Sequence, residues 1–280
     1  MQPTNGAGQT KAGDWRSYER VLLPPVRDLH KLEVYEENGG YGTLRDVLKS
    51  WDPKKVTDEV KASGLRGRGG AGFVTGLKWT FMPPPDPTKP RFLACNGDES
   101  EPGTFKDRQL MEYNPHLLFE GILIAAYAMS VNTTYLYVRG EYADWIRHME
   151  RELEKLYKKG YVGRKVMGTG FSTELVIHKG AGAYICGEET SLLESLEGKR
   201  AYPRVKPPFP AQKGLWGSPT TVNNVETLAC VPLIISRGAD WFSSLGPEKH
   251  PGPVLYGISG HVNRPGVYEY PTGMLISDLI

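Results

Sequence analysis

The chain has 280 residues, 39% of them hydrophobic and 24% charged, with a formal net charge of +2. That length supports one large domain or two smaller ones. The balanced charge argues against a nucleic-acid binder working through a global basic footprint, and the 33 glycines and 22 prolines imply long loops on a regular scaffold rather than disorder.

Residues 1 to about 20 are polar and read as a mobile start without a signal or transit sequence. Together with three scattered cysteines, Cys95, Cys186 and Cys230, which form no C-x-x-C pair and read as small buried hydrophobes, this points to a reducing cytoplasm. Residues 21–63 read as an irregular arm with one short helix: Asp52 as N-cap, Pro53 at the first position, Val56 and Val60 on one face, Gly64 as the stop. There follows Gly64-Leu-Arg-Gly-Arg-Gly-Gly-Ala-Gly-Phe-Val-Thr-Gly76, with Arg66 and Arg68 inside it and Lys78 beyond. Glycine lets backbone N–H groups approach an oxyanion closely and the cations add charge, so the loop suits phosphate. Gly67 to Gly72 also spells G-x-G-x-x-G, but no strand precedes it, so the dinucleotide fingerprint is not met in its usual context.

The regular scaffold starts at Phe92. Phe92–Cys95, Thr134–Val138 and Glu174–His178 read as strands, each followed by a helical pattern, which predicts an α/β fold with a Rossmann-like parallel sheet. Pro115–Ser130 is apolar around its circumference, contains Glu120 and is too short to span a bilayer, so it reads as a buried helix capped by Asn114. Tyr142, Trp145, Ile146, Met149, Leu153 and Leu156 recur at helical spacing up to Gly160.

Ligands of parallel sheets sit beyond the strands' carboxyl ends. Two loops there are unusual: Asn96-Gly-Asp-Glu-Ser-Glu-Pro-Gly103, with three carboxylates in four positions, and Lys179–Thr190, a glycine-rich turn running into Glu188 and Glu189. Further on, Lys199–Lys213 carries five cations, no acids and four prolines, a stiff basic arm able to present Lys206 and Phe209. Asn223, with Glu226, reads as a capping box that leaves Asn224 free for a ligand. Val254–Ser259 and Gly266–Tyr270 read as strands opening a small β-rich, ubiquitin-like unit. The expected organisation is an arm over 1–63, an α/β domain over 64–250 and the beginning of an SLBB-like unit over 251–280.

These blocks, in this order, resemble the flavin-bearing, NADH-oxidising subunit of respiratory complex I, the NADH:quinone oxidoreductase. The likeness runs from about Gly39 to the end and rests on Gly64–Trp79, Asn96–Gly103, Gly180–Glu189, Lys206–Gln212 and Thr221–Glu226. The resemblance implies FMN as cofactor and NADH as substrate, with Gly67, Arg68, Gly69 and Lys78 near the FMN phosphate, Gly70, Ala71 and Phe73 on the NADH side, and Gly72 among the cofactor-binding residues. It places Asn96, Asp98, Glu99 and Ser100 on the ribityl chain and ring edge, with Tyr184, Gly187, Glu188, Asn223 and Asn224 completing the flavin pocket. Glu101 and Glu189 would meet the nicotinamide half and count as the catalytic pair, while Phe73, Phe81 and Phe209 would stack on adenine beside Lys206. The implied reaction is hydride transfer to flavin followed by single-electron release to iron–sulfur centres. Implied partners are other complex I subunits, especially a thioredoxin-like 2Fe-2S subunit and a multi-cluster iron–sulfur subunit, on the cytoplasmic side of the membrane without a span of the chain's own. The family's 4Fe-4S cluster belongs to a later helical domain whose cysteines are absent here, so the chain reads as truncated and no metal ligand is assigned. A diaphorase subunit of a soluble NAD-linked hydrogenase or formate dehydrogenase is the related alternative, and a non-catalytic assembly module the alternative of another class.

Overall fold

Strand β1 (Phe92–Gly97) lies beside β2 (Thr133–Val138), β2 beside β3 (Glu174–Lys179), and the fourth strand β4 (Thr220–Asn224) beside β1, all parallel in the order β3-β2-β1-β4. This is a computed structural model, which describes residues 18–280; the polar start read over residues 1–17 lies outside the described residues. The three expected strands are present. The fourth is rich in threonine and asparagine, so its sequence carries no apolar run, yet it pairs with β1 so that Asn96 and Asn224 are register neighbours.

Strand alternation sorts two cores. Leu93, Cys95, Leu136, Val138 and Leu175 face one side, where helices α5 (Asp107–Tyr113), α6 (Pro115–Ala128), α7 (Ala143–Lys159) and α10 (Val225–Arg237) pack. Phe92, Ala94, Tyr137 and Val222 face the other, under Leu192, Leu193 and Leu196 of α8 (Glu189–Leu196), and the short α9 (Pro210–Lys213) runs along β4. Helix α6 is buried almost all round, as its composition requires, and Gly121 lets it touch α10: a Cβ there would lie 2.0 Å from the Leu228 carbonyl oxygen. Asn114 stands at its N-cap position but does not cap; its amide donates to the Leu22 carbonyl instead, at 2.9 Å.

The arm is more ordered than its sequence suggests. It folds into α1 (Leu32–Glu37), α2 (Gly42–Ser50) and α3 (Pro53–Ala62), ahead of the short α4 (Thr75–Trp79), and its Leu22, Leu32, Leu44, Val47, Val56 and Val60 belong to the larger core. The expected cap holds at α3, where Asp52 accepts from the Lys55 N–H. Buried acids add to this order: Glu152 of α7 accepts from the Leu32 N–H at the start of α1, at 3.1 Å. Glu120 accepts from the Tyr41 and Leu44 N–H groups at 3.0 and 2.9 Å and from the Tyr35 hydroxyl at 2.7 Å, so α6 anchors the start of α2. Burial raises the Glu120 carboxyl above its ordinary range despite these three donors.

After α11 (Ala239–Ser243), β5 (Pro253–Ile258) and β6 (Gly266–Pro271) form the expected antiparallel pair, followed by α12 (Ile276–Leu279). Glu269 of β6 reaches back to the arm, accepting from the N–H groups of Val21, Leu22 and Leu23 at 2.7 to 3.0 Å and from the Tyr18 hydroxyl at 3.0 Å. Among the described residues no helix is long and apolar enough to cross a membrane.

Candidate functional site

The strand order reverses between β1 and β4, and their carboxyl ends are where a crevice forms in such sheets. The glycine loop lies against this point. An antiparallel bridge between Arg66 and Val74 closes it, with Gly67 N–H donating to Phe73 O at 2.8 Å. Arg68 N–H donates to Thr227 Oγ1 in the first turn of α10 at 2.8 Å, and a Cβ on Gly69 would sit 3.1 Å from Asn224 Cβ, so the loop rests directly on that turn. Gly70 and Gly72 have φ of +112° and +64°, and the space a side chain would take is open at both. Gly69, Gly70 and Ala71 are exposed. The result is a cradle lined by backbone atoms rather than side chains, as close approach of a phosphate requires. Its arginines are partly committed elsewhere: Arg66 donates to Gly72 O and Lys249 O, and Arg68 Nη2 donates to Pro251 O at 2.6 Å, leaving its buried Nε without a partner.

From β1, Asn96 donates to Gly187 O at 2.9 Å, joining the loops after β1 and β3. Its side-chain oxygen accepts from Asp98 N–H, and the Ser100 hydroxyl donates to Asp98. Burial pushes the Asp98 carboxyl up to about 6, outweighing Ser100 and the Arg139 charge, which pull it down. Glu99 faces inward: it accepts from the N–H groups of Asp107 and Arg108 at the start of α5, and from the Tyr142 hydroxyl at 2.9 Å. Glu101 is exposed and accepts from the Tyr184 hydroxyl at 2.5 Å across the mouth of the site.

Glu188 caps α8 through Thr190 and Ser191. Glu189 receives two lysines from separate elements, Lys78 of α4 at 3.0 Å and Lys206 of the proline-rich arm. Burial would raise both carboxyls, but Thr190, Ser191 and Lys206 at Glu188, and Lys78 and Lys206 at Glu189, outweigh it and hold both below the ordinary range. Phe73 and Phe81 stand half exposed with ring centroids 5.9 Å apart, and Phe209 is exposed on its arm.

The asparagine pair differs from its sequence reading. Asn224, not Asn223, is the N-cap of α10, accepting from Glu226 and Thr227 N–H, while Asn223, one residue earlier in β4, accepts from Trp79 Nε1 at 3.0 Å. Glu226 closes no capping box. Neither is Asn224 free, since its amide nitrogen donates to Asp107 Oδ2 at 2.7 Å. A third loop joins the site without a conspicuous composition to announce it. Arg139-Gly140-Glu141 follows β2 at the same edge; Arg139 donates to Glu99 O and to Glu141, both at 3.1 Å, and a Cβ on Gly140 would meet Gly180 O at 2.2 Å. The three cysteines are buried and unpaired, and among the described residues no cluster of His, Cys, Asp and Glu could hold a metal. Concavities of about 590 and 570 Å³ lie elsewhere, the first between residues 103–106 and β5.

The Nuo51 FMN-binding domain model matches residues 60–233 and the SLBB domain model residues 255–280. Among curated proteins the chain is 54% identical over 265 residues to the second NADH-quinone oxidoreductase F subunit of Rhizobium meliloti, covering 94% of this chain and 63% of that protein. It is 51% identical over 262 residues to the NADH-quinone oxidoreductase F subunit of Aquifex aeolicus, covering 94% and 60%. The chain thus spans about 60% of the length of these relatives. Among solved structures, a chain of an NAD+-reducing [NiFe]-hydrogenase in the air-oxidized state superposes with a TM-score of 0.77 at 41% identity, covering 89% of this chain and 42% of that one. The H2-reduced state gives 0.74 at 45%, covering 81% and 38%. With the family model matching well over half its residues, on the sheet edge where the cradle and the polar loops meet, the chain belongs to the Nuo51 FMN-binding family.

Proposed function

We propose that this chain binds FMN beyond the carboxyl ends of β1 and β4 and oxidises NADH there, as the electron-input module of an NADH:quinone oxidoreductase. The observation that carries this reading is the convergence of an open backbone cradle, two lysines and a run of oxygen acceptors on one crevice. The residues fit the group. Gly67 to Gly72 and Lys78 would take the phosphate, and Asn96, Asp98 and Ser100 offer acceptors to ribityl hydroxyls. Glu99 serves the site from beneath, by fixing the start of α5 and the Asp98–Ser100 turn. Tyr184 and Glu101 bridge the mouth, where the nicotinamide half would enter, and Phe73, Phe81 and Phe209 supply exposed aromatic faces for adenine. FMN when bound supplies hydride acceptance and one-electron release; the protein's part is to hold two rings in register and exclude water, so no side chain needs to act as a nucleophile.

Onward partners would be iron–sulfur subunits, the thioredoxin-like 2Fe-2S type foremost. The two hydrogenase structures favour a second reading, a diaphorase subunit of a soluble NAD-linked enzyme. Reconstitution decides the core of the proposal: the purified chain with FMN is expected to quench flavin fluorescence and to reduce an artificial acceptor with NADH, and failure to bind FMN would overturn it. Co-purification with membrane-bound subunits or with a hydrogenase subunit separates the two readings.

A further inference from the structure

Next to the cradle, joined to its Asn224 wall, lies a largely buried charged relay. Lys106 Nζ sits between Asp107 Oδ1 at 2.6 Å and Glu226 Oε2 at 2.7 Å, and both carboxylates are almost wholly buried. Each carboxylate has its second oxygen committed. Asp107 Oδ2 accepts from Asn224 Nδ2 at 2.7 Å, and Glu226 Oε1 accepts from the Leu255 N–H of β5 at 3.0 Å. Asn224 turns its own oxygen to the first turn of α10 and its Cβ to Gly69. The segment leading into β5 touches the loop a second time, since Pro251 O accepts from Arg68 and Pro251 packs on Gly64, where a Cβ would lie 3.0 Å from its ring.

An amide flips or rotates when neither end is fixed. Here one end is fixed by a helix terminus and the other by an anion that only Lys106 neutralises among its direct partners, so the orientation of Asn224 depends on that ammonium. We infer that Lys106 is a positioning residue for the nucleotide cradle, holding the Asn224 wall under Gly69 and tying it through Glu226 to the first strand of the β-rich unit. The inference rests on the reading of the cradle as an FMN site. It assigns a task to largely buried charge: a buried ion pair is a poor source of stability compared with apolar packing, but fully bonded it fixes one arrangement.

Lys106→Met removes the cation, and Glu226→Gln removes one charge while keeping an acceptor for Leu255. Leu153→Ala, which loses packing on α7 away from the relay, serves as a control for stability. At a temperature where all are folded, both relay variants should bind FMN at least about tenfold more weakly, with an altered visible circular dichroism of the bound flavin, while the control keeps both. Amide exchange over residues 66–74 of the ligand-free chain should accelerate in the relay variants alone. Unchanged affinity, dichroism and exchange would overturn the inference, as would equal losses in the control. If Lys106→Met does not fold, Glu226→Gln decides; if the parent chain binds no FMN, the FMN reading falls and the exchange measurement decides the relay by itself.

Discussion

Asp98 offers a prediction whose sign follows from its surroundings. Its carboxyl is raised from 3.8 to about 6, chiefly by burial, so the folded chain resists an ionisation that the unfolded chain accepts readily. The unfolded state loses its proton first as pH rises, and stability therefore falls between pH 4 and 6 and stays low above that. At 1.36 kcal/mol per pH unit the penalty is about 1 kcal/mol at pH 4.5 and about 3 kcal/mol at pH 8. Asp98→Asn removes the titration and keeps the size, so relative to the parent it should gain about 2 kcal/mol of stability between those two pH values. Urea unfolding of both chains at pH 4.5 and 8 measures this, with any constant offset from altered hydrogen bonding cancelling in the comparison. The parent should also bind FMN more weakly as pH falls through 6, because a protonated carboxyl is a poorer acceptor for ribityl hydroxyls. A stability difference between the two chains that is flat from pH 4.5 to 8 would refute the reasoning.

Two further outcomes follow from packing. Gly140→Ala puts a methyl 2.2 Å from the Gly180 carbonyl oxygen and must part the loops after β2 and β3, so it should lower the melting temperature and weaken FMN binding about tenfold or more, whereas Gly170→Ala, with open space around it, should do neither. Glu120→Leu strands two backbone donors and the Tyr35 hydroxyl in the core and should cost about 3 kcal/mol or more, read as a lowered denaturant midpoint; a loss below about 1 kcal/mol would show that the arm is held by its apolar contacts instead.

What can be read from the sequence is whatever advertises itself locally. β1, β2 and β3 are aromatic and β-branched, α7 has a clean stripe ending in a left-handed glycine, and Asp52-Pro53 is a helix start on its face. Strand β4 is hidden because its pairing with β1 is tertiary and its residues are polar. Helices α1 and α2 escape for a related reason: they are short, and what orders them is Glu120 and Glu152 reaching from α6 and α7, partners more than 75 residues away. At the site, the glycine loop and both acidic loops stand out by composition. Which oxygen of Asn223 or Asn224 faces where is not declared, since capping statistics allow either residue and only the register of β4 against β1 chooses. Arg139-Gly140-Glu141 lies at the end of a recognisable strand, and the rule that ligands gather there is signal enough to include it.

The clasp between Glu269 and residues 21–23 bears on how the chain comes into being. Three amides at the start of the arm converge on a carboxylate 246 to 248 positions downstream. On a ribosome they have no partner until β6 has been made. Closing so large a loop by itself costs about 5 kcal/mol of chain entropy, so this contact forms late, after the sheet has brought its two ends near. The contact between residues 21–23 and Glu269 is thus among the last of the described contacts to form, although the arm precedes every strand of the sheet in sequence.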